Sequence, residues 1–292
     1  MSGRRAYRYL LRALSLSAFL GAWQLLTSHR VHVWVHFEQL PTVGQVGREF
    51  GHRVHTGVYW QDLGDSLFRI LLGFGLAAVL GVTAGIAIGR SRLAEDLLGP
   101  VVELIRPIPA IALVPVAILL FPGNEQGIVF ITFSAAFFPV LVSTRHAVRA
   151  LAPVWEEAVL SMGGGRLRVL AQVVLPGALP GIFGGLSVGI GVAWICVISA
   201  EMISGEYGVG YRTWQDYTVV DYPGVLVGML TIGLLGQLTS SAVEFAGRRA
   251  TRWLPRTESA AGPSPVRRRT RPAPRAADPA PAPQPIPVPP GR

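Results

Sequence analysis

The chain has 292 residues, half of them hydrophobic, with 15% charged residues and a formal net charge of +9. A soluble domain carries about a quarter charged residues, so a mean hydropathy of +0.43 argues against a large water-soluble core and for a polytopic membrane protein. The arginines cluster at the N-terminus, between apolar runs and in the C-terminal tail, with no basic stripe interleaved with aromatics, which argues against nucleic-acid binding.

Crossing a hydrocarbon core takes about 20 apolar residues. Six windows qualify and predict an all-α, polytopic membrane helix bundle: Ala13 to Ser28, Ile70 to Gly89, Val101 to Leu120, Gly127 to Thr144, Gly177 to Ala200 and Gly224 to Val243. Glu103, Arg106, Pro107, Pro109 and Pro115 fall within the third window, so a kinked or interrupted helix is expected there, its charged end near one interface. Arg4, Arg5, Arg8 and Arg12 precede the first window and favour a cytoplasmic N-terminus. Six crossings then place Arg90, Arg92, Arg145, Arg149, Arg166, Arg168, Arg248, Arg249 and Arg252 on the same side, with both termini inside. Arg30, Arg48 and Arg53, in the outer segment from His29 to Asp65, make that rule imperfect. A cleaved signal peptide would also show basic residues before an apolar run, but no convincing small-x-small site follows the first window.

The second window carries Gly81, Gly85 and Gly89, and the fifth carries Gly181, Gly185 and Gly189. Spacing of four puts each row on one helix face and lets backbones approach closely. Gly224 and Gly228 form a shorter pair in the sixth. The expected organisation is an N-terminal helix with an outer interfacial segment over residues 1–64, a membrane domain over 65–250, and a Pro/Ala/Arg-rich tail over 251–292. The tail has too little apolar surface to fold and is expected to be disordered; its arginines suit anionic headgroups, though an inert solvated tail is the preferred reading.

Chemistry-bearing residues are sparse. His29, His32, His36, His52 and His55 crowd the first outer segment, but no carboxylate or cysteine completes a ligand set, so no metal site and no cofactor are expected. The single cysteine, Cys196, lies inside an apolar run. An ion-coupled secondary transporter would place ionisable residues mid-membrane; the middles of the second, fourth, fifth and sixth windows have none, and that alternative loses. Arg69, Glu103, Arg106 and Glu201 sit near predicted span ends, where snorkelling and a gate-lining role fit equally. Arg69, Glu201 and the loop from Glu206 to Asp221 are the positions expected to serve a pathway or gate or to contact a binding protein.

The segment Trp155 to Pro176, between the fourth and fifth windows, carries the most specific pattern. Glu156 to Met162 is a short helix candidate, Gly163 to Gly165 break it, and Leu167 to Leu175 form a second amphipathic run expected to stop at Pro176. This arrangement resembles the cytoplasmic loop of permease subunits of binding-protein-dependent ABC importers. Their pattern is Glu-Ala-Ala, three residues, Gly, nine residues, Ile, one residue, Leu-Pro. Here Glu157, Ala158 and Val159 open it, Gly163 takes the glycine position, Val173 replaces the isoleucine, and Leu175-Pro176 closes it. The resemblance runs from about Leu40 to Trp253 and is nearest the nitrate, sulfonate, taurine and bicarbonate group, in particular its nitrate and cyanate branch. Asp65 to Arg69, Arg106-Pro107-Ile108-Pro109, Phe137-Phe138-Pro139 and Ala200-Glu201-Met202 support it, while Phe121-Pro122-Gly123-Asn124-Glu125 departs from the usual Phe-Gly turn.

The resemblance implies a non-catalytic membrane subunit of an ATP-driven importer for a small anionic solute in a bacterial cytoplasmic membrane. It implies a coupling helix, with Glu157, Ala158, Gly163, Leu175 and Pro176 serving a separate ATPase subunit present as a pair. It also implies an external solute-binding protein. The chain has no lysine, which the P-loop route to ATP hydrolysis requires, so the ATPase is another polypeptide. Six spans are few for a full pathway, so a homodimer with the pathway at the shared interface is expected.

Overall fold

Inside a bilayer the backbone has no water to bond to, so a chain this apolar must satisfy its peptide groups within helices. The computed structural model describes residues 2–28 and 40–253, and among them no strand occurs. In chain order the helices are α1 (Ser2–Ser28), α2 (Val43–Val54), α3 (Gly57–Arg90), α4 (Arg92–Ile105), α5 (Val114–Leu120), α6 (Asn124–Arg149), α7 (Pro153–Ser161), α8 (Arg166–Val169), α9 (Leu175–Ser204), α10 (Val209–Thr218) and α11 (Tyr222–Ala250). The tail beyond Trp253 and His29, His32 and His36 lie outside the described residues.

Local chemistry sets several boundaries. Thr42 and Gln45 form a reciprocal capping box that starts α2: the Thr42 hydroxyl accepts from the Gln45 N–H, and the Gln45 side chain accepts from the Thr42 N–H at 2.8 Å. Ser91 caps α4 and Asp221 caps α11, each accepting a backbone N–H through its side chain. Gly205, at φ 71°, ends α9 in the left-handed conformation that glycine adopts without strain.

Among the described residues, five helices are long and apolar enough to cross a membrane: Leu10–Ser28 within α1, then α3, α6, the α8–α9 run and α11. The third expected window is a bent pair, α4 and the Ala110–Leu120 helix meeting at 82° across the Arg106–Pro109 break, the geometry of a broken span or a re-entrant loop. α3 begins at Gly57 rather than near Ile70. Asp62, Ser66 and Arg69 extend it because they are buried against partners from other helices instead of facing water. The expected stop at Pro176 is corrected. A π-turn over Leu170–Val174 joins α8 to α9, so helix runs without a break from Arg166 to Ser204. Pro176 falls in the first turn after that change of register, where its missing N–H is accommodated.

α6 is the central helix, packed between α3 and α9. Ala77, Ala136, Ala193 and Val197 are fully enclosed where the three meet, together with Ile70, Ile131 and Ile190. The glycine rows enter from both sides. A Cβ on Gly85 would lie 2.7 Å from the Leu141 carbonyl and from Thr144, and one on Gly185 would lie 2.6 Å from Ser143. Gly81 and Gly89 face Val140 and Val148, while Gly181 and Gly189 face Ala147 and Ala136.

Candidate functional site

Three places gather the residues that chemistry can use. The first is the elbow at the end of the bundle that carries α7. Pro153 stands in the first turn of α7, Val159 points inward, and Glu156 pairs with Arg90 at the end of α3. Gly163 has φ +80° and donates its N–H to the Leu160 carbonyl at 2.9 Å. Gly164 donates to the Val159 carbonyl at 2.9 Å, and a Cβ there would lie 2.6 Å from a Val159 methyl. The elbow therefore needs glycine twice, once for conformation and once for space. Glu157 and Ala158 face outward beside Trp155, Met162 and Leu167, which are 64%, 78% and 83% exposed. Leu175 is partly exposed and Pro176 lies at the start of α9. The sequence placed Glu156 in the helix and Gly164 in its break, but not the steric need for glycine at 164 nor the pairing of Glu156, since nothing local signals that it would meet an arginine from a different helix.

The second lies toward the opposite end of α3. The Arg69 guanidinium donates to Glu201 at 2.8 Å, to the Tyr207 carbonyl at 2.6 Å and through Nε to Glu125 at 2.8 Å. Glu201 also accepts from Ser66 at 2.8 Å and from the Gly210 N–H at 2.9 Å, and both Arg69 and Glu201 are wholly buried. Alongside, Asp62 accepts from Arg212 at 2.9 Å and from the Gly208 N–H at 3.2 Å. Arg53 on α2 reaches Asp216 at 2.7 Å, Asp221 at 3.0 Å and Glu49 at 2.6 Å. Burial alone would lower the Arg53 guanidinium, but its hydrogen bonds to Asp216 and Glu49 outweigh that and hold its pKa above the ordinary arginine value. These pairs fasten α10 and the turn before it to α2, α3 and α9. Arg53, Ser66, Glu125 and the Glu206–Asp221 loop with Arg212 and Asp216 stood out in the sequence for other reasons and Asp62 did not, but none of these pairings was legible, because the partners lie far apart in the chain.

The third is an open groove of about 660 Å³ between the α4–α5 break, α6 and α9. Its walls are mainly apolar, with Arg106, Ser134, Ser143 and His146 as the side chains that can donate hydrogen bonds to a solute. Arg69 and Glu201 do not line it. At its α7 end Arg145 reaches Glu103 at 3.3 Å and Glu95 at 3.5 Å, Arg149 pairs with Glu95, and Arg106 lies 3.5 Å from Glu103. The groove was not visible in the sequence because three separate segments build it.

Residues 77–252 match the family described as binding-protein-dependent transport system inner membrane component. The chain belongs to that family. It is 34% identical over 194 residues to the taurine transport system permease protein TauC of Escherichia coli strain K12, covering 66% of this chain and 70% of that one. It is 28% identical over 250 residues to the nitrate import permease protein NrtB of Leptolyngbya laminosa, covering 85% and 89%. A chain from the inward-facing MetNI methionine ABC transporter superposes with a TM-score of 0.53 at 19% identity, covering 68% of this chain and 97% of that one, a likeness of fold.

Proposed function

We propose that this chain is the membrane permease subunit of an ATP-driven importer for a small anionic solute of the nitrate, cyanate, sulfonate, taurine or bicarbonate class. The observation that carries the reading is the elbow itself. A glycine-turned helix pair stands out from the bundle with Glu157 and an apolar crown exposed, and it continues through an unbroken helix into α9. A protein seated on that elbow moves α9 as a lever, because a helix transmits displacement along its length.

The seated protein in this reading is a cytoplasmic ATPase, present as a pair, and the chain itself is not an enzyme. Glu157 and Ala158 contact it, Gly163 permits the turn, and Leu175 and Pro176 begin the lever. A solute-binding protein delivers cargo on the other face, two copies of this chain enclose the pathway, and both termini lie in the cytoplasm. Alternating access then follows from opening and closing of the ATPase pair. Arg69 and Glu201 act in this scheme by holding α3, α6 and α9 together at the outer end rather than by touching solute.

ATP hydrolysis in lipid vesicles tests the reading. The vesicles would hold this chain, its ATPase and the binding protein, with nitrate, cyanate, taurine, alkanesulfonates or bicarbonate supplied. One solute is expected to stimulate hydrolysis, and Gly163→Pro to abolish the stimulation. Failure to assemble with any ATPase would overturn the proposal.

A further inference from the structure

We propose that Arg106, at the corner of the broken span, sets the charge preference of the pathway for a small oxyanion, with His146 as a second donor. The inference rests on the importer reading for the word pathway, but the electrostatic claim concerns the groove alone.

The corner is irregular backbone within a hydrophobic span. Irregular backbone at membrane depth is tolerated only where it is buried in protein or lines a water-filled cavity. Here Arg106 to Pro109 carry no complete helical turn, and Arg106, Ile108 and Pro109 all line the groove. Arg106 stands at the α4 side of that groove with its side chain about half exposed. A guanidinium in an apolar span is costly against lipid, so one that lines a groove belongs to a wet cleft. The groove supplies one, running from His146 to Ser134 along α6, about 18 Å by the helical rise per residue.

Charge counting gives the sign. Three guanidiniums, Arg106, Arg145 and Arg149, share two carboxylates, Glu95 and Glu103. Arg145 spans both carboxylates and Arg149 takes Glu95. Arg106 is left with a 3.5 Å contact to Glu103, one helical turn away, both side chains about half exposed. Such a contact neutralises little. The cluster at the mouth therefore keeps a net positive charge, and its least committed guanidinium faces the groove. A planar fork of donors fits two oxygens of an oxyanion at once. The apolar remainder of the wall offers no competing charge, so a small anion meets one cationic station and can leave it.

The test uses a reporter inside the groove. Cys196 is the only cysteine in the chain. Val188 lines the groove and is 58% exposed, so Val188→Cys in a Cys196→Ser background places one reactive thiol there. Assembled transporter would be treated with an anionic and a cationic methanethiosulfonate of similar size, each rate divided by that of a free thiol. The anionic reagent is expected to be favoured by about tenfold, as for a cleft of one sign. Arg106→Gln should bring the ratio close to unity, and Arg106→Lys should keep most of it. Glu103→Gln, which removes one of the two carboxylates of the cluster, should raise it, which serves if Arg106→Gln does not assemble. A ratio at unity in the parent, or one untouched by both Arg106→Gln and Glu103→Gln, would overturn the proposal. In the vesicle assay, Arg106→Gln should cut uptake of the stimulating solute about tenfold, with Arg106→Lys restoring part of it. Parent vesicles that take up no solute, while the labelling ratio holds, would sink the importer reading and leave the anion-attracting groove standing.

Discussion

Arg69 shows how much a single side chain can organise in a low-dielectric interior. It is wholly buried, and its donors meet Glu201 of α9, Glu125 of α6 and the Tyr207 carbonyl. Removing one partner of a buried ion pair leaves an uncompensated charge and costs about 3–5 kcal/mol. Arg69→Gln is therefore expected to lower the apparent Tm of the purified protein in detergent by that equivalent. Glu125→Gln removes a carboxylate that is half exposed, so water replaces much of the loss and the cost should stay near 1 kcal/mol or below. Equal losses from the two variants would refute the assignment of Arg69 and Glu201 as the buried pair that the outer end depends on. Both residues stood out in the sequence as charges beside apolar runs. Their pairing did not, because Arg69 and Glu201 lie on different helices and only the folded bundle brings them together.

For the helices, the central feature is that α6 takes a glycine face on either side. The cost of adding a methyl depends on what it meets, and the two tests differ sharply. On Gly85 a Cβ would lie 2.7 Å from the Leu141 carbonyl and from Thr144, whereas on Gly75, in the same helix, it meets nothing within 4 Å. Gly85→Ala should cost about 1–3 kcal/mol by forcing α3 away from α6, while Gly75→Ala should be neutral or mildly stabilising. Thermal denaturation in detergent separates them, and equal effects would mean that the α3–α6 contact is looser than described. The spacing of Gly81, Gly85 and Gly89 was legible, as was the row in α9. That both rows meet one helix was not, since a spacing names a face and never its partner. The break at Arg106–Pro109 was legible from its prolines and charges, whereas the π-turn at Leu170–Val174 has no composition signal and turned an expected stop into a continuous helix.

For the molecule as a whole, the proposed topology puts the α7 elbow in the cytoplasm and the turn after α10 outside. Ser161 and Val219 are both exposed and lie at these two ends. In a Cys196→Ser background, Ser161→Cys should react with an impermeant thiol reagent only after the cells are opened, and Val219→Cys should react in intact cells. The reverse pattern would invert the topology and move the ATPase contact to the wrong side. What the sequence by itself determined are the properties set by solvent and by neighbours in the chain. These are the long apolar runs that must be helical in lipid, the arginines between them, the broken third span and the elbow motif that ties the chain to its family. Only the tertiary structure decided which charges neutralise one another, that α6 stands between α3 and α9, and that three separated segments enclose a groove with Arg106 on its wall. Burial and period are local and leave a pattern along the chain. Charge pairing and cavity shape arise from residues that are distant in sequence and adjacent only after folding.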